Sequence, residues 1–143
     1  MQLLKEKICI ITGAGKGFGN DIAKLFYEQG AKLALITRSQ SDVDLLKKEF
    51  NENGNRVMVF CGDVTRADIV SDFVNKAISK FGSVDILVNN AGIRFRKKFL
   101  DTNLNEFNNV INANVGSTFI LCQAIIPHML KSRHGKILNM ASI

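Results

Sequence analysis

Short apolar runs alternate along this chain with longer stretches in which apolar residues return every three or four positions. The short runs predict five β-strands, at residues 8–12, 32–37, 56–61, 84–89 and 136–141. The first, second and fourth runs are apolar at nearly every position, whereas a strand with one solvent-exposed face would alternate apolar and polar residues. These strands are therefore expected to be buried on both faces, as in a parallel sheet.

The longer stretches between the strands predict helices at residues 17–29, 41–52, 66–80, 103–112 and 114–131. Pro127 is expected to tilt or loosen the last turn of the final helix. Strands that alternate with helices predict one α/β domain over residues 1–143, a doubly wound sheet with right-handed crossovers. The residues expected to face the sheet are Ile22, Ala23, Leu25, Phe26, Val43, Leu45, Leu46, Phe50, Ile69, Val70, Phe73, Val74 and Ala77.

Composition narrows the class of protein. Apolar residues make up 46% and charged residues 22% of the 143, which is typical of a globular domain. No apolar run approaches the roughly 18 residues of a membrane span, and residues 1–7 mix charges unlike a secretory signal. The cysteines Cys9, Cys61 and Cys122 lie far apart on apolar segments. We expect reduced, buried thiols in a cytoplasmic protein and no metal site.

The net charge of +6 is spread along the chain except at residues 94–98, Arg-Phe-Arg-Lys-Lys. The simpler interpretation of this cluster is an exposed loop. The functional interpretation is an electropositive rim for an anionic substrate or an acidic carrier protein. Nucleic-acid binding is not expected, because one short patch without an aromatic platform is a weak signal.

A glycine-rich segment lies between the first predicted strand and the first predicted helix, at residues 12–19, Thr-Gly-Ala-Gly-Lys-Gly-Phe-Gly. Glycines allow the backbone to turn tightly and approach a pyrophosphate, and the following helix points free N–H groups at the anion. Flexible loops are also glycine-rich, but the flanking strand and helix favour a dinucleotide site. The predicted cofactor-binding residues of this turn are Gly13, Gly15, Lys16, Gly17, Phe18 and Gly19.

The spacing Thr-Gly-x-x-x-Gly-x-Gly resembles the short-chain dehydrogenase/reductase family, and further segments along the whole chain carry the same resemblance. Residues 89–92, Asn-Asn-Ala-Gly, resemble a family element that follows the fourth strand. Asp63 and Val64 resemble the pair that meets the adenine, although Asp63 with Thr65 also fits a helix cap. The resemblance implies a Rossmann-type fold and cofactor-binding roles for Asp63, Val64, Asn89, Ala91 and Gly92.

The form of the cofactor depends on the end of the second strand, where an acidic residue usually holds a free ribose 2′-hydroxyl. Here Thr37 stands at that position, Arg38 follows, and the next carboxylate is Asp42. Lys16 is expected to project toward the same region, and a guanidinium matches a phosphate well. We therefore expect NADP(H) over NAD(H). The alternative is that Arg38 and Lys16 merely extend into solvent.

The resemblance also assigns catalytic residues. Asn114 and Ser142 fall where the family has its active-site asparagine, which holds a water chain, and its catalytic serine, which orients the carbonyl. The family's proton-transferring tyrosine and the lysine that lowers its pKa have no equivalents here, since the one tyrosine, Tyr27, is followed four positions later by Ala31. The Tyr-x-x-x-Lys motif and the last strands are expected beyond Ser142. We therefore expect a truncated enzyme with negligible turnover as the chain stands.

Three functional interpretations stay open. Residues 90–98 and 137–140 resemble gluconate 5-dehydrogenase-type members, which favours a secondary alcohol and ketone of a sugar acid. The same segments are compatible with 3-oxoacyl-acyl-carrier-protein reductases, and a catalytically inactive dinucleotide-binding or interaction module is the third possibility. The helix at 114–131 corresponds to a helix that packs between subunits in this family, so the resemblance implies a dimer or tetramer. Its apolar face is expected to be core, with an interface as the alternative: Val115, Phe119, Cys122, Ile126 and Met129.

Overall fold

The computed structural model describes residues 1–50 and 54–141 of the chain. Five strands form one sheet in the order β3-β2-β1-β4-β5, and all four pairings are parallel. This arrangement confirms the predicted doubly wound sheet. Because the order reverses beside β1, the loops after β1 and β4 leave a crevice at the carboxyl ends of the strands. The strands are β1 (Ile8–Thr12), β2 (Lys32–Thr37), β3 (Val57–Cys61), β4 (Ile86–Asn89) and β5 (Lys136–Asn139).

Helices cover both faces of the sheet because successive residues of a buried strand point to opposite sides. Cys9 and Ile11 of β1 pack in a core with the first two helices, whereas Ile10 packs in a second core with the third and fifth. Burial on both faces is as the apolar runs predict. The helices are α1 (Gly17–Glu28), α2 (Gln40–Glu49), α3 (Ala67–Phe81), α4 (Leu104–Ile111) and α5 (Ser117–Ser132), with a 3₁₀ turn at Phe99–Asp101.

The last two helices are joined rather than separate. A π-helical segment, Asn112–Gly116, connects α4 to α5, so the run Leu104–Ser132 is helical throughout and continues past Pro127. A wider turn lets the helix absorb an extra residue without breaking, which periodicity alone does not reveal. By length and composition this 29-residue run could cross a membrane. One such helix is weak evidence for a membrane span, because core helices of soluble proteins pass the same test.

Several predicted inward residues are exposed. Leu25 and Leu45 are 54% and 63% exposed, and on α5 the predicted core face was wrong for Val115, Phe119 and Ile126, which are exposed, but not for Met129, which is buried. Both sides of α5 are apolar, so spacing could not choose between them. The side that packs on the sheet carries Ser117, Leu121, Ile125 and Met129.

The three cysteines differ in how deeply they are buried. Cys9 is fully buried in β1, and burial, with a smaller contribution from Asp85, raises the pKa of its thiol to about 12. Cys122 is half-buried on α5. Cys61 is exposed at the end of β3, the outermost strand on its side of the sheet, which corrects the expectation that all three thiols are buried.

Candidate functional site

A cleft of about 350 Å³ opens at the carboxyl ends of β1 to β4. It lies where the strand order reverses, which is where open α/β sheets bind ligands. Its wall brings together most of the predicted cofactor-binding residues from four separate segments of the chain. These are Gly13, Gly15, Lys16, Phe18, Arg38, Asp63, Val64, Ala91 and Gly92.

The glycine turn shapes the first wall. Gly13 and Gly17 have φ angles of +63° and +56°, which favour glycine. Gly19 does not line the cleft, but a side chain there would overlap the carbonyl oxygen of Gly13. Lys16 precedes α1 without a capping side-chain hydrogen bond among the described residues, so the first N–H groups of the helix are available to an anion. The turn therefore fits a pyrophosphate.

Thr12 and Asn90 join this turn to the end of β4. The Thr12 hydroxyl accepts hydrogen bonds from the Asn90 and Ala91 N–H groups at 3.0 and 2.9 Å. The Asn90 amide donates to the carbonyl oxygens of Thr12 and Gly13 at 3.1 and 3.2 Å. The sequence prediction missed both residues, although the Asn-Asn pair directly after a strand was the available signal. They hold two loops of the cleft at a fixed separation.

Asn89 has a different place from its neighbours. It is 5% exposed, and its amide donates to Asn139 Oδ1 at 2.9 Å and to Cys122 Sγ at 3.7 Å. The side chain therefore links β4 to β5 and α5 and lies outside the cleft wall. The site prediction did not separate this asparagine from the Ala91 and Gly92 positions that line the cleft.

Asn114 lies on the π-helical segment and contacts the loop that follows β4. Its Oδ1 accepts from the Ile93 N–H at 2.7 Å, and its Nδ2 donates to the Ile93 carbonyl at 3.0 Å. A Cβ on Gly92 would stand 2.8 Å from that Oδ1, so glycine permits the approach. The side-chain amide thus positions the far end of the cleft. Ser142, the other predicted catalytic residue, lies outside the described residues.

Asp63 borders the cleft after β3. Its Oδ1 accepts from the N–H and hydroxyl of Thr65 at 2.9 and 2.8 Å. Burial by itself raises the pKa of Asp63, but these hydrogen bonds and the positive charges of Arg38 and Arg66 outweigh burial, so the pKa lies below its ordinary value. The expectation that Asp63 or Thr65 also caps the next helix was wrong, because Arg66 occupies the cap position of α3. The Asp63 side chain instead closes the turn that precedes this helix.

The positive charges near the cleft are arranged in two groups. Lys16 and Arg38 are exposed, line the cleft, and have no ion-pair partner in the part of the chain that the structure describes. In the 94–98 cluster, Lys97 is paired with Glu106 at 2.8 Å, whereas Arg94, Arg96 and Lys98 are exposed. The cluster follows Ile93, the last cleft residue of that loop. Among the described residues no group of three or more His, Cys, Asp or Glu could hold a metal.

Comparison with known proteins agrees with this geometry. An uncharacterized oxidoreductase of Staphylococcus epidermidis is 34% identical over 143 residues, which cover 100% of this chain and 61% of that protein. The 3-oxoacyl-[acyl-carrier-protein] reductase FabG of Thermotoga maritima is 34% identical, over 98% of this chain and 57% of its own. The crystal structure of 3-ketoacyl-(acyl-carrier-protein) reductase from Brucella melitensis complexed with NADH is 35% identical, with a TM-score of 0.89, over 97% of this chain and 58% of that one.

The chain therefore spans about three fifths of the length of the curated relatives it matches. Its sheet order and glycine turn place the cleft where open α/β proteins bind dinucleotides. The family model for short chain dehydrogenase matches residues 7–143, which is nearly the whole sequence. The chain belongs to the short chain dehydrogenase family of oxidoreductases.

Proposed function

We propose that the whole protein is a cytoplasmic, NADP(H)-dependent oxidoreductase that interconverts a secondary alcohol and a ketone. The observation that carries this proposal is the cleft, in which the glycine turn, Asp63 and the loop after β4 form one continuous wall. Gly13, Gly15 and the start of α1 would hold a pyrophosphate, and Asp63 with Val64 would border the adenine. When bound, the nicotinamide group would supply or accept the hydride.

The proposed roles of this chain's own residues are to bind and to position. Asn114 holds the Ile93 backbone through both atoms of its amide, so it would fix the segment beside the reacting groups. Gly92 permits that contact. Ser142 would orient the substrate carbonyl, as the family resemblance implies.

Preference for the phosphorylated coenzyme rests on Lys16 and Arg38. Both cations line the cleft where the glycine turn approaches the end of β2. A guanidinium can contact a ribose 2′-phosphate through two hydrogen bonds, and hydrogen bonds to charged groups are among the stronger ones in proteins. A cation at this position therefore favours NADP(H).

Two substrate classes follow from the exposed cations of the 94–98 cluster, which lie beside the cleft. A sugar acid would place a carboxylate near them, and an acyl carrier would bring an acidic protein surface. The reductases from Thermotoga maritima and Brucella melitensis are named for 3-oxoacyl-carrier substrates, which favours the second class. The exposed apolar side of α4 and α5 supports a homo-oligomer.

Calorimetric titration with NADPH and NADH tests the coenzyme proposal. Arg38→Ala is expected to weaken NADPH binding by about tenfold, as for the loss of a charge-assisted hydrogen bond, and to leave NADH binding unchanged. Arg96→Ala is the matched control, because Arg96 is exposed and lies outside the cleft wall. Equal losses for both coenzymes would contradict the proposal. NADPH oxidation by the whole protein with a keto sugar acid and with a 3-oxoacyl thioester then separates the substrate classes.

A further inference from the structure

Asp42 is a carboxylate in the cleft wall that the assignments above do not use. It lies half-buried in the first turn of α2, which Ser39 begins by accepting a hydrogen bond from the Asp42 N–H at 3.4 Å. The Thr37 hydroxyl at the end of β2 donates to Asp42 Oδ2, also at 3.4 Å. The helix start and the strand end together direct this side chain toward the cleft.

The glycine turn is packed directly against this carboxylate. A Cβ built on Gly15 would lie 2.6 Å from both Cβ and Oδ2 of Asp42, so only a glycine fits between the turn and the side chain. Gly15, Lys16, Arg38 and Asp42 line the same cleft. The wall that offers two cations to a phosphate therefore also contains an anion.

The neighbouring acidic residue of α2 is placed differently. Asp44 is exposed, and its Oδ1 accepts from Gln40 Nε2 at 2.9 Å along the helix surface. Two positions along a helix correspond to a rotation of roughly 200°, so Asp42 and Asp44 project from nearly opposite sides. The cleft contains Asp42 because of its position on the helix, not because α2 is acidic in general.

We propose that Asp42 is a coenzyme-selecting residue that limits the preference of this site for the 2′-phosphorylated dinucleotide. A carboxylate at this place repels a ribose 2′-phosphate and accepts a hydrogen bond from a free 2′-hydroxyl, which is the role that an acidic residue has in NAD sites. It thereby offsets part of the attraction of Lys16 and Arg38, so that the preference for NADP(H) over NAD(H) is smaller than the two cations alone would give. This inference rests on the proposed dinucleotide function.

The test compares 2′,5′-ADP with 5′-ADP, two probes that differ by one phosphate, by calorimetric titration of the protein. Asp42→Asn keeps the size of the side chain and an oxygen that accepts from Thr37, and removes only the charge. It is expected to raise the affinity ratio of 2′,5′-ADP to 5′-ADP by about tenfold, the order given by a Coulomb interaction over several ångströms near a protein surface. Asp44→Asn, the matched control, is expected to change that ratio by less than about twofold because its charge faces solvent.

An Asp42→Asn ratio that changes no more than that of Asp44→Asn overturns the inference. So does a fall in the thermal midpoint of the unliganded Asp42→Asn protein without a change in the ratio, which would make Asp42 structural. Arg38→Ala distinguishes this failure from a failure of the proposed function. If Arg38→Ala lowers the ratio and Asp42→Asn leaves it unchanged, only the inference about Asp42 fails; if Arg38→Ala leaves it unchanged, the phosphate site itself is wrong.

Discussion

The two sides of the sheet differ in how their residues are covered. In the half of the sheet that contains β1 and β2, which we call the covered side, nearly every strand residue is buried between helices. At the opposite edge of the sheet, all four residues of β5 are exposed. None of the α4 residues, all of which the structure describes, is buried. The cleft is built mainly from the covered side, where two-sided packing holds the glycine turn against β4.

The exposed side carries a long apolar surface, which we call the α4–α5 stripe: Leu104, Phe107, Ile111, Val115, Phe119, Ile126 and Leu130. Scattered exposed apolar residues are ordinary, whereas exposed apolar residues repeated at helical spacing are typical of a surface that another element or subunit covers. The covered side therefore contains most of the buried apolar residues of this chain, whereas the side chains of the stripe are left exposed.

Two residues on opposite sides of α5 give the strongest test of this difference in burial. Leu121 is fully buried and Phe119 is 64% exposed. We expect Leu121→Ala to lower the free energy of unfolding by about 4 kcal/mol, because it leaves a cavity in the second core. Phe119→Ala should lower it by less than about 1 kcal/mol, since little apolar contact is lost. Urea unfolding at a concentration where the protein is monomeric measures both.

Sedimentation at higher concentration supplies the second half of this test. If the stripe mediates association, Phe119→Ala weakens the oligomer, whereas Leu121→Ala affects it only by unfolding the subunit. Similar unfolding losses in the two variants would show that the two sides of α5 are not differently covered.

Substitution of Thr12 tests the hydrogen bonds that connect the end of β1 to the loop after β4. Thr12→Val removes the hydroxyl that accepts from the Asn90 and Ala91 N–H groups. Two backbone donors then lose their partner in a partly buried place, and we expect about 3 kcal/mol of destabilisation. Thr12→Ser keeps the hydroxyl and should cost about 1 kcal/mol for the lost methyl group. Equal losses for the two variants in thermal unfolding would contradict the role of the hydroxyl.

The glycine turn provides a smaller effect with a functional readout. Gly19→Ala is expected to cost about 2 kcal/mol, because the new Cβ would overlap Gly13 and lie 2.5 Å from Asn90 Nδ2. Gly17→Ala meets no atom within 4 Å but must adopt a φ of +56°, which costs about 1 kcal/mol. NADPH titration should show loss of binding for Gly19→Ala. Retained binding there would mean that the turn is not the pyrophosphate site.

Where the strands are buried on both faces, the sequence was a sufficient guide. β1 and β2 begin and end at the predicted residues, because a continuous apolar run bounded by glycine and polar residues has one interpretation. The α5 face was missed because that helix is apolar all round, so the choice of face depends on the partner elements and not on the spacing.

At the candidate site, too, the sequence predicted local features but not those that depend on contacts between elements. The glycine turn was predicted because its chemistry is local in sequence. Asn90, Thr12 and Asp42 were not assigned to the site, since their roles arise from contacts between distant segments: Thr12 with Asn90, and Gly15 with Asp42. The π-helical segment around Asn114 was also missed, because an extra residue in a helical turn leaves no distinct pattern in the sequence.

The smallest expected effect on stability comes from single carboxylates, and we compare Asp63 at the cleft with Glu106 on α4. The pKa of Asp63 is held below its ordinary value, since the Thr65 hydrogen bonds and Arg38 outweigh burial. The pKa of the half-buried Glu106 is lowered chiefly by the hydrogen bond from Lys97. A carboxyl with a lower pKa in the folded state stabilises the fold above its unfolded pKa, and that contribution is lost as the pH falls below about 4.

Urea unfolding of the wild type against Asp63→Asn should therefore give a difference in free energy that is constant from neutral pH to about pH 5 and shrinks below about pH 4. The same comparison with Glu106→Gln should give a difference that 0.5 M salt reduces, because the Lys97–Glu106 ion pair is partly exposed to solvent and is therefore screened. The Asp63 difference should persist in salt, since its main hydrogen bonds come from Thr65 within the chain. Equal salt sensitivity would mean that the Asp63 carboxylate is held by the nearby arginines and not by its turn.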